Sequence, residues 1–225
     1  MRGHGRLHRY RRARGLPARA NDLRGRRPVS APRPGCVPGP AWPAAGAALG
    51  RVLFLDRDGV INVNHGYVHT PEGTEWVPGI VALCKAAQAR GYALVVVTNQ
   101  AGIARGYYSE AQFAAYTHWV HQHFAAAGVS IVATYYCPHH PQAGQGDYQV
   151  DCDCRKPAPG MLLAADQAHA VDWAGSLLVG DKRTDIQAGQ AAGVGQCFLL
   201  GDDTGDGVLS AGSFHACATL AQIQA

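Results

Sequence analysis

Two aspartates follow directly on a short apolar run near residue 50. Asp56 and Asp58 come after Val-Leu-Phe-Leu, stand one residue apart and precede Gly59. An apolar run of this length is typical of a strand buried on both faces, and open α/β sheets bind ligands at the carboxyl ends of such strands. Two neighbouring carboxylates repel each other unless a cation lies between them, so the pair predicts a hard divalent ion such as Mg²⁺.

Two plainer interpretations compete with a catalytic one. The stretch could be an acidic turn after a core strand, or the start of a calcium-binding EF-hand loop, which it resembles. In an EF-hand the fifth and twelfth loop positions supply ligands; here these are Val60 and Tyr67, neither of which is a useful calcium ligand. Whether Asp56 and Asp58 form only an acidic turn depends on which residues follow the other predicted strands.

The elements that must position these acids alternate between strand and helix. Apolar runs predict strands over residues 51–55, 93–97, 131–136, 176–180 and 196–200, with a further strand near 213–216. Apolar periodicity and capping signals predict helices over residues 80–87, 109–127, 159–170 and 186–192, and a short closing helix. This alternation predicts an α/β fold, in which a central parallel sheet carries helices on both faces.

Polar residues end three of these predicted strands. Thr98 and Asn99 follow the second strand and Asp181 follows the fourth, as Asp56 and Asp58 follow the first. Because the carboxyl ends of parallel strands meet at one edge of the sheet, these side chains are expected to converge. Three such ends favour a ligand site over an isolated acidic turn.

These residues also match four known motifs in chain order. The motifs stand here as Asp56-Arg-Asp58-Gly, Val97-Thr98-Asn99, Arg155-Lys156-Pro157 and Gly180-Asp181-Lys182-Arg-Thr-Asp185. From Arg51 to about Asp202 the chain resembles the haloacid dehalogenase (HAD) superfamily of phosphohydrolases. The resemblance implies a Rossmann-like, three-layer α/β/α domain over residues 51–225. Val60 departs from the threonine often found in the first motif, and we regard it as a tolerated variant.

The resemblance implies that Asp56 is the nucleophile and Asp58 the general acid and base. Mg²⁺ would be held by Asp56, Asp181 and Asp58, the last through its main-chain carbonyl. A divalent ion fits this chemistry, because a phosphate dianion repels a carboxylate nucleophile unless a cation neutralises both.

The remaining motif residues would serve the transferring phosphoryl group. Thr98 can offer a hydroxyl and Lys156 an ammonium to the phosphoryl oxygens on which charge accumulates. Asp185 is expected to orient Lys156 or a metal-bound water. Their plainer roles are a strand-end hydroxyl for Thr98 and an acid at a helix N-terminus for Asp185.

The loop over residues 137–154 carries a second set of metal ligands. Cys-x-His followed by Cys-x-Cys supplies four nitrogen and sulfur donors, the set that a closed structural Zn²⁺ prefers. The predicted zinc ligands are Cys137, His139, Cys152 and Cys154. His140 is expected to lie beside the site or at the surface, and the other four cysteines read as core or tail thiols. The alternative is three scattered thiols and a histidine.

This zinc loop, together with the lack of a large cap domain, resembles a narrow branch of the superfamily. The branch contains heptose bisphosphate phosphatases and histidinol-phosphatases, and the matching segments are residues 62–69, 98–106, 136–141 and 152–157. The implied activity is removal of the C7 phosphate of D-glycero-D-manno-heptose 1,7-bisphosphate, in the biosynthesis of nucleotide-activated heptose; histidinol phosphate is the alternative substrate. The implied substrate-binding residues are Asn64, His65, Gly66, Tyr67, Thr98, Asn99, Gln100, Ala101, Arg155, Lys156 and Lys182.

The first 50 residues differ in composition from the rest of the chain. They contain eleven arginines and one acid, whereas the remainder has nine basic and fifteen acidic residues. An Arg-, Gly-, Pro- and Ala-rich segment buries too little apolar surface to fold, so residues 1–50 are predicted to be a disordered basic arm. Alternatively, the true start of the protein lies near Arg51. A third interpretation, a non-catalytic zinc-containing protein that binds nucleic acid through this arm, is disfavoured because the arm lacks interleaved aromatics and the Asp56/Asp58 pair is intact.

The sequence contains no apolar run long enough to span a membrane and no secretory signal. Seven cysteines without a signal peptide favour reduced thiols and a cytoplasmic location. We therefore expect a cytoplasmic, monomeric enzyme that acts on a small sugar bisphosphate and binds neither membrane nor nucleic acid.

Overall fold

The structure, a computed structural model, describes residues 33–44, 46–201 and 214–223. Its strands are β1 (Gly35–Pro38), β2 (Val52–Leu55), β3 (Ala93–Asn99), β4 (Ile131–Cys137), β5 (Leu177–Gly180), β6 (Gln196–Leu200) and β7 (His215–Cys217). Its α-helices are α1 (Ile80–Ala89), α2 (Ala101–Ala104), α3 (Glu110–Ala126), α4 (Gly160–Ala168) and α5 (Arg183–Ala192). Two 3₁₀ turns cover Gly146–Tyr148 and Leu220–Gln222.

The strands form one seven-stranded sheet in the order β1-β4-β3-β2-β5-β6-β7. All pairs are parallel except β1 with β4. Strand β2 lies in the centre, where Leu53 pairs with Leu94 on one side and with Leu177 on the other. The carboxyl ends of β2, β3 and β5 are therefore adjacent, as the sequence predicts.

Two apolar cores lie on opposite faces of the sheet. Leu53 and Leu55 point into the core that α1 and α3 cover, and Val52 and Phe54 point into the core that α4 and α5 cover. All four side chains are fully buried, which explains why β2 reads as an uninterrupted apolar run. The three-layer α/β/α arrangement is confirmed.

Strand β1 corrects the predicted boundary of the basic arm. Residues 35–38 pair antiparallel with β4, and Val37 packs in a small core with Ile103, Tyr108 and Phe113. Residues 33–44 and 46–50 are thus part of the described structure, because the edge of β4 offers backbone partners that composition does not reveal. The rest of the predicted arm, residues 1–32, lies outside the described residues.

The helix boundaries follow the predicted signals. Gly79 precedes α1 with a φ of 91°, a conformation that favours glycine. Ser109 caps α3, because its hydroxyl accepts from the Gln112 N–H (3.2 Å) while the Gln112 side chain accepts from the Ser109 N–H (2.8 Å). Helix α2 was not predicted; it is a single turn directly after β3.

Two long loops extend from the carboxyl edge of the sheet in the described part of the chain. They cover residues 56–79, after β2, and residues 138–159, after β4. Neither forms a separate cap domain. Among the described residues, the structure contains no helix that is long and apolar enough to cross a membrane.

Candidate active site and candidate zinc centre

A cavity of about 490 Å³ opens at the carboxyl edge of the sheet. Asp56 and Asp58 line it, as does every predicted substrate-binding residue except His65. Gly102, Tyr108, Thr184 and Asp185 also line it and were not among the predicted substrate contacts. The structure therefore brings together the ends of β2, β3 and β5 with the two long loops.

A buried ion-pair cluster lies in this cavity. The Lys156 Nζ lies 2.7 Å from Asp56 Oδ1 and 2.6 Å from Asp185 Oδ1, and it donates to the carbonyl of Val97 at 2.7 Å. The other Asp185 oxygen accepts from the Lys182 N–H at 3.0 Å. With both oxygens engaged, Asp185 is placed to orient Lys156.

The electrostatics of this cluster favour an additional cation. Burial raises the pKa of Asp56 to about 7; Lys156 opposes this rise, whereas Asp185 and Asp181 add to it. Burial, with Asp185 next in size, raises the pKa of Asp181 to about 6. Burial works against the charge of Lys156, yet Asp185 and Asp56 raise its pKa above the usual value. Lys156 thus pairs directly with Asp56 and Asp185, while Asp181 is stabilised only at longer range by Lys182 and Lys156.

The geometry around Asp181 fits a divalent ion. Carboxylate oxygens of Asp56, Asp181 and Asp185 lie within 4.8 Å of one another. Asp181 Oδ1 is buried and has no hydrogen-bond partner among the described residues, as expected of an oxygen that faces a metal. Gly59, at a φ of 95°, packs against this carboxylate so closely that a Cβ would lie 2.2 Å from Asp181 Oδ2. The oxygen donors fit Mg²⁺.

These shifts predict how stability depends on pH in magnesium-free buffer. A carboxylate whose pKa is raised on folding contributes stability that is lost as pH rises through the folded value. The loss is spread between the ordinary carboxyl pKa of about 3.8 and the folded pKa values of about 6 for Asp181 and about 7 for Asp56, so the thermal midpoint is expected to fall between pH 5 and 7.5 and to level off above that. Millimolar Mg²⁺ is expected to raise the midpoint more at pH 8.5 than at pH 6.5. Asp56→Asn should flatten the profile; a wild-type midpoint that rises with pH would contradict this assignment.

The carboxylate of Asp58 is held apart from the three clustered acids. Arg57 Nη2 donates to Asp58 Oδ2 at 2.7 Å and to Oδ1 at 2.9 Å, and Asn62 Nδ2 donates to Oδ1 at 3.0 Å. Gln100 Nε2 lies 3.3 Å from Oδ2. The Asp58 side chain thus lies outside the metal-ligand group, and its main-chain carbonyl stays a prediction as a magnesium ligand.

Residues after β3 organise the cavity wall. Gln100 is buried; its Nε2 donates to Thr98 Oγ1 at 2.7 Å, and its Oε1 accepts from the Tyr108 hydroxyl at 2.7 Å. Tyr108 can approach because Gly102 has no side chain: a Cβ there would lie 2.3 Å from the tyrosine ring. Three polar groups therefore hold one another in place along this wall.

Asn99 connects β3 to the loop that carries Lys156. Its Nδ2 donates to the Lys156 carbonyl and its Oδ1 accepts from the Lys156 N–H, both at 3.0 Å. These two hydrogen bonds use both polar atoms of the Asn99 side chain. Asn99 therefore positions the backbone of Lys156 in addition to lining the cavity.

The loop after β2 supplies the rim of the cavity. The Asn64 side chain accepts from the Gly66 N–H at 3.2 Å, and Tyr67, 43% exposed, meets Tyr107 edge to face at 4.8 Å between ring centroids. His65, predicted as a substrate contact, does not line the cavity; its Nε2 instead pairs with Glu75 at 2.9 Å on the exposed side of the loop.

The four predicted zinc ligands lie together. Their donor atoms are within 4.8 Å of one another, with sulfur–sulfur distances of 3.1, 3.3 and 3.5 Å. These separations are far above a disulfide bond of about 2.05 Å. A tetrahedron with Zn–S bonds of about 2.3 Å has edges of about 3.8 Å, so the three sulfurs lie slightly closer together than they would around a bound Zn²⁺. His139 Nδ1 completes the set at 3.4 Å from Cys154 Sγ. Three sulfurs and one nitrogen fit a closed structural Zn²⁺.

Two of the predicted zinc ligands also bind residues that line the cavity, through their main-chain carbonyls. Arg155 Nη1 donates to the carbonyl of His139 at 3.2 Å, and the Gln100 N–H donates to the carbonyl of Cys137 at 2.8 Å. His140 does not join the ligand set; its Nδ1 accepts from the N–H groups of Gln142 and Ala143. The zinc loop thus helps to position two residues that line the cavity, Arg155 and Gln100.

Glu110, at the start of α3, anchors the zinc loop from outside. Its two carboxylate oxygens accept from the hydroxyls of Tyr136 and Tyr148, at 2.6 and 2.7 Å. Tyr136 lies in β4 and Tyr148 lies in the zinc loop. One carboxylate therefore joins a helix, a strand and the loop.

Arg57, Asn62 and Tyr108 were missed by the sequence reasoning. Arg57 stands inside the first motif, but no spacing rule indicates that a buried arginine turns back onto its own neighbour. Asn62 pairs with Asp58 four residues earlier, in a loop whose conformation the sequence does not reveal. The position of Tyr108 could have been inferred from the sequence, because Gly102 and Gly106 mark a tight turn, and the Tyr108 ring packs against Gly102.

Comparison with known proteins identifies the family. A family model described as HAD-hydrolase-like matches residues 153–222. The D-glycero-beta-D-manno-heptose-1,7-bisphosphate 7-phosphatase of Vibrio cholerae serotype O1 is 47% identical over 172 residues, which are 76% of this chain and 91% of that protein. The D-glycero-alpha-D-manno-heptose-1,7-bisphosphate 7-phosphatase of Burkholderia mallei is 51% identical over 163 residues, 72% of this chain and 86% of that protein.

A solved structure shows the same fold. The crystal structure of D,D-heptose 1,7-bisphosphate phosphatase from B. bronchiseptica, complexed with magnesium and phosphate, superimposes with a TM-score of 0.65 at 32% identity. The match covers 76% of this chain and 94% of that one. With its motifs, cavity and fold in agreement, the chain belongs to the HAD-like hydrolases and, within them, to the family of the heptose-1,7-bisphosphate 7-phosphatases.

Proposed function

We propose that this chain is a magnesium-dependent phosphomonoesterase that removes the C7 phosphate of D-glycero-D-manno-heptose 1,7-bisphosphate. The observation that carries the proposal is the position of Asp56: its carboxylate contacts Lys156 in a polar cavity and clusters with the unpartnered oxygen of Asp181. Relatives named for this activity are about half identical to the chain.

Asp56 and Asp58 divide the reaction between them. An Asp56 oxygen forms a bond to phosphorus, the bond from phosphorus to the C7 oxygen breaks, and Asp58 gives its proton to that leaving oxygen. Asp58 then takes a proton from water, whose oxygen bonds to phosphorus and releases the Asp56 carboxylate and inorganic phosphate. Asp56, Asp181 and the main-chain carbonyl of Asp58 would hold Mg²⁺, which would supply the positive charge that allows the Asp56 carboxylate and the phosphate dianion to approach each other.

Lys156 and Thr98 stabilise the transferring group. Both are buried, at 3% and 1% exposure, so their donors act in a water-poor environment where electrostatic stabilisation is strong. Asp185 and Asn99 hold Lys156 in position. Cys137, His139, Cys152 and Cys154 would hold a structural Zn²⁺, which would fix the conformation of the loop that precedes Lys156.

A bisphosphate needs cations at two ends of the site, and two further cations line the cavity. Arg155 and Lys182 belong to different elements. The planar guanidinium of Arg155 suits bidentate recognition of the second phosphate. Asn64 and Tyr67, which line the cavity at its rim, are proposed to bind sugar hydroxyls. Histidinol phosphate would instead call for a carboxylate near its amine, and Glu75 is engaged by His65.

Substrate preference tests this assignment. The enzyme is expected to show a kcat/KM at least about a hundredfold higher for a heptose 1,7-bisphosphate anomer than for histidinol phosphate, since one unmatched phosphate costs about 3 kcal/mol. Steady-state kinetics with the alpha anomer, the beta anomer and histidinol phosphate measure this directly. Equal or greater efficiency on histidinol phosphate would overturn the proposed substrate while leaving the phosphatase chemistry intact.

The role of Arg155 can be separated from catalysis. Arg155→Met is expected to raise KM for the heptose 1,7-bisphosphate about tenfold or more, because a charge-assisted pair is worth about 1.5–3 kcal/mol. The matched substrate is the heptose 7-monophosphate, which lacks the second phosphate and should be affected much less. A similar loss with both substrates would contradict a role in binding the second phosphate.

We also expect the enzyme to act as a monomer in the cytoplasm. This proposal rests on cysteine usage: none of the seven cysteines, all of which lie in the described residues, forms a disulfide, and disulfides are rare in a reducing compartment. Residues 1–32 are proposed to take no part in catalysis, and a role in nucleic-acid binding is not favoured.

A further inference from the structure

We propose that Arg57 is the positioning residue for Asp58, and that it joins the general acid to the substrate-binding loop. The inference rests on the proposed function, because it assigns Asp58 the proton transfers described above. Arg57 is 3% exposed, although arginine is seldom fully buried unless paired. Its partners explain this burial.

The guanidinium of Arg57 contacts Asp58 along one edge. Nε lies 3.3 Å from Oδ1 and Nη2 lies 2.7 Å from Oδ2, a side-on arrangement that fixes the plane of the carboxylate. Adjacent residues do not pair in this way by default, because successive side chains of an extended chain point in opposite directions. The turn that follows β2 makes the contact possible.

The same nitrogen makes a second contact. Nη2 also donates to the main-chain carbonyl of Val68 at 2.6 Å. Val68 lies between Tyr67, which lines the cavity, and His69, which stacks on the cavity residue Tyr108 at 4.4 Å. Arg57 therefore bridges the general acid and the rim of the substrate site.

Packing holds the guanidinium in this orientation. The Cζ atom of Arg57 lies 5.5 Å from the centroid of the Phe113 ring and 5.3 Å from that of the Tyr116 ring, and both residues belong to α3. Cation–π contacts of this kind are favourable when the cation is desolvated. A lysine could supply the charge, but its ammonium lacks the planar fork needed to bind the carboxylate side-on while reaching Val68.

The effect of an Arg57 substitution on kcat/KM is expected to depend on the leaving group of the substrate. A sugar alkoxide must be protonated as it departs, whereas p-nitrophenolate is a stable anion and needs little help. Arg57→Met is expected to lower kcat/KM about a hundredfold for the heptose bisphosphate, within the usual range for general acid catalysis, and no more than about threefold for p-nitrophenyl phosphate. Arg57→Lys should show the same selectivity with a smaller loss.

Double-mutant kinetics provide the control. Asp58→Asn alone should show the same leaving-group dependence, and adding Arg57→Met to it should cost no more than about a further threefold, because the two residues act as one unit. Equal losses on both substrates, or additive losses in the double mutant, would show that Arg57 only supports the fold. Thermal melts establish folding; if Arg57→Met does not fold, Arg57→Lys carries the same comparison.

Failure of the Arg57 proposal can be distinguished from failure of the proposed phosphatase function. Asp56→Asn must abolish turnover of both substrates whether or not Arg57 positions Asp58. If the wild type hydrolyses p-nitrophenyl phosphate but not the heptose bisphosphate, the substrate proposal fails, and the Arg57 comparison is made with an alkyl phosphate that the enzyme accepts.

Discussion

Asp56→Asn is expected to lower turnover of the heptose bisphosphate by about 10⁵-fold, the scale seen when a nucleophile is removed from an enzyme. The amide cannot form the phosphoryl-enzyme bond and brings no negative charge to the metal site. The fold should survive, since Asp185 also pairs with Lys156 and the ionisation of Asp56 is opposed by burial. Phosphate release at saturating Mg²⁺, together with a thermal melt, measures both effects.

The matched control for this variant is Glu72→Gln, which removes one charge from an exposed position in the loop after β2. It is expected to leave the rate unchanged. Full turnover by Asp56→Asn would contradict the mechanism, because Asp185, the other carboxylate in the described residues that contacts Lys156 and lines the cavity, has both oxygens engaged by Lys156 and the Lys182 N–H.

Cys152→Ser is expected to have the second-largest effect, on stability and substrate binding together. Loss of a structural metal is among the few single changes that cost more than about 4 kcal/mol, so the unfolding midpoint should fall by roughly 10 °C or more. Arg155 and Gln100 both depend on carbonyls of zinc ligands, so KM for the bisphosphate should rise about tenfold or more. Zinc content, melting and steady-state kinetics form the assay.

Cys36→Ser is the control, since Cys36 is an exposed cysteine outside the zinc loop. Its zinc content, melting and KM should match the wild type. A folded Cys152→Ser enzyme with unchanged kcat and KM would reject the coupling between the zinc loop and the substrate site.

The central strands and their polar ends could be predicted because burial on both faces leaves an unmistakable apolar run. Residues 52–55 illustrate this, and Asp56 follows them directly. Strand β1 could not be predicted, since Gly35-Cys-Val-Pro38 has no strand pattern of its own and is ordered by the edge of β4. Tertiary pairing overrides local propensity there.

The sequence predicts the site residues that belong to known motifs, but it does not predict the contacts made by the loop residues between those motifs. The zinc ligands follow from donor type and spacing. The pairing of His65 with Glu75 depends on the path of a loop, as does the return of Arg57 onto Asp58. Such contacts are set by backbone conformation and rotamers, which spacing rules do not encode.

The shared carboxylate of Glu110 bears on the motions of the zinc loop. To swing away from α3, the loop must break the Tyr148 hydroxyl contact as well as the metal bonds, and the Glu110 carboxylate keeps its other oxygen on Tyr136 meanwhile. Amide hydrogen exchange over residues 144–149 would report the free energy of that opening. Opening of the loop is therefore opposed from its outer side by an acid on α3 that is not among the predicted zinc ligands.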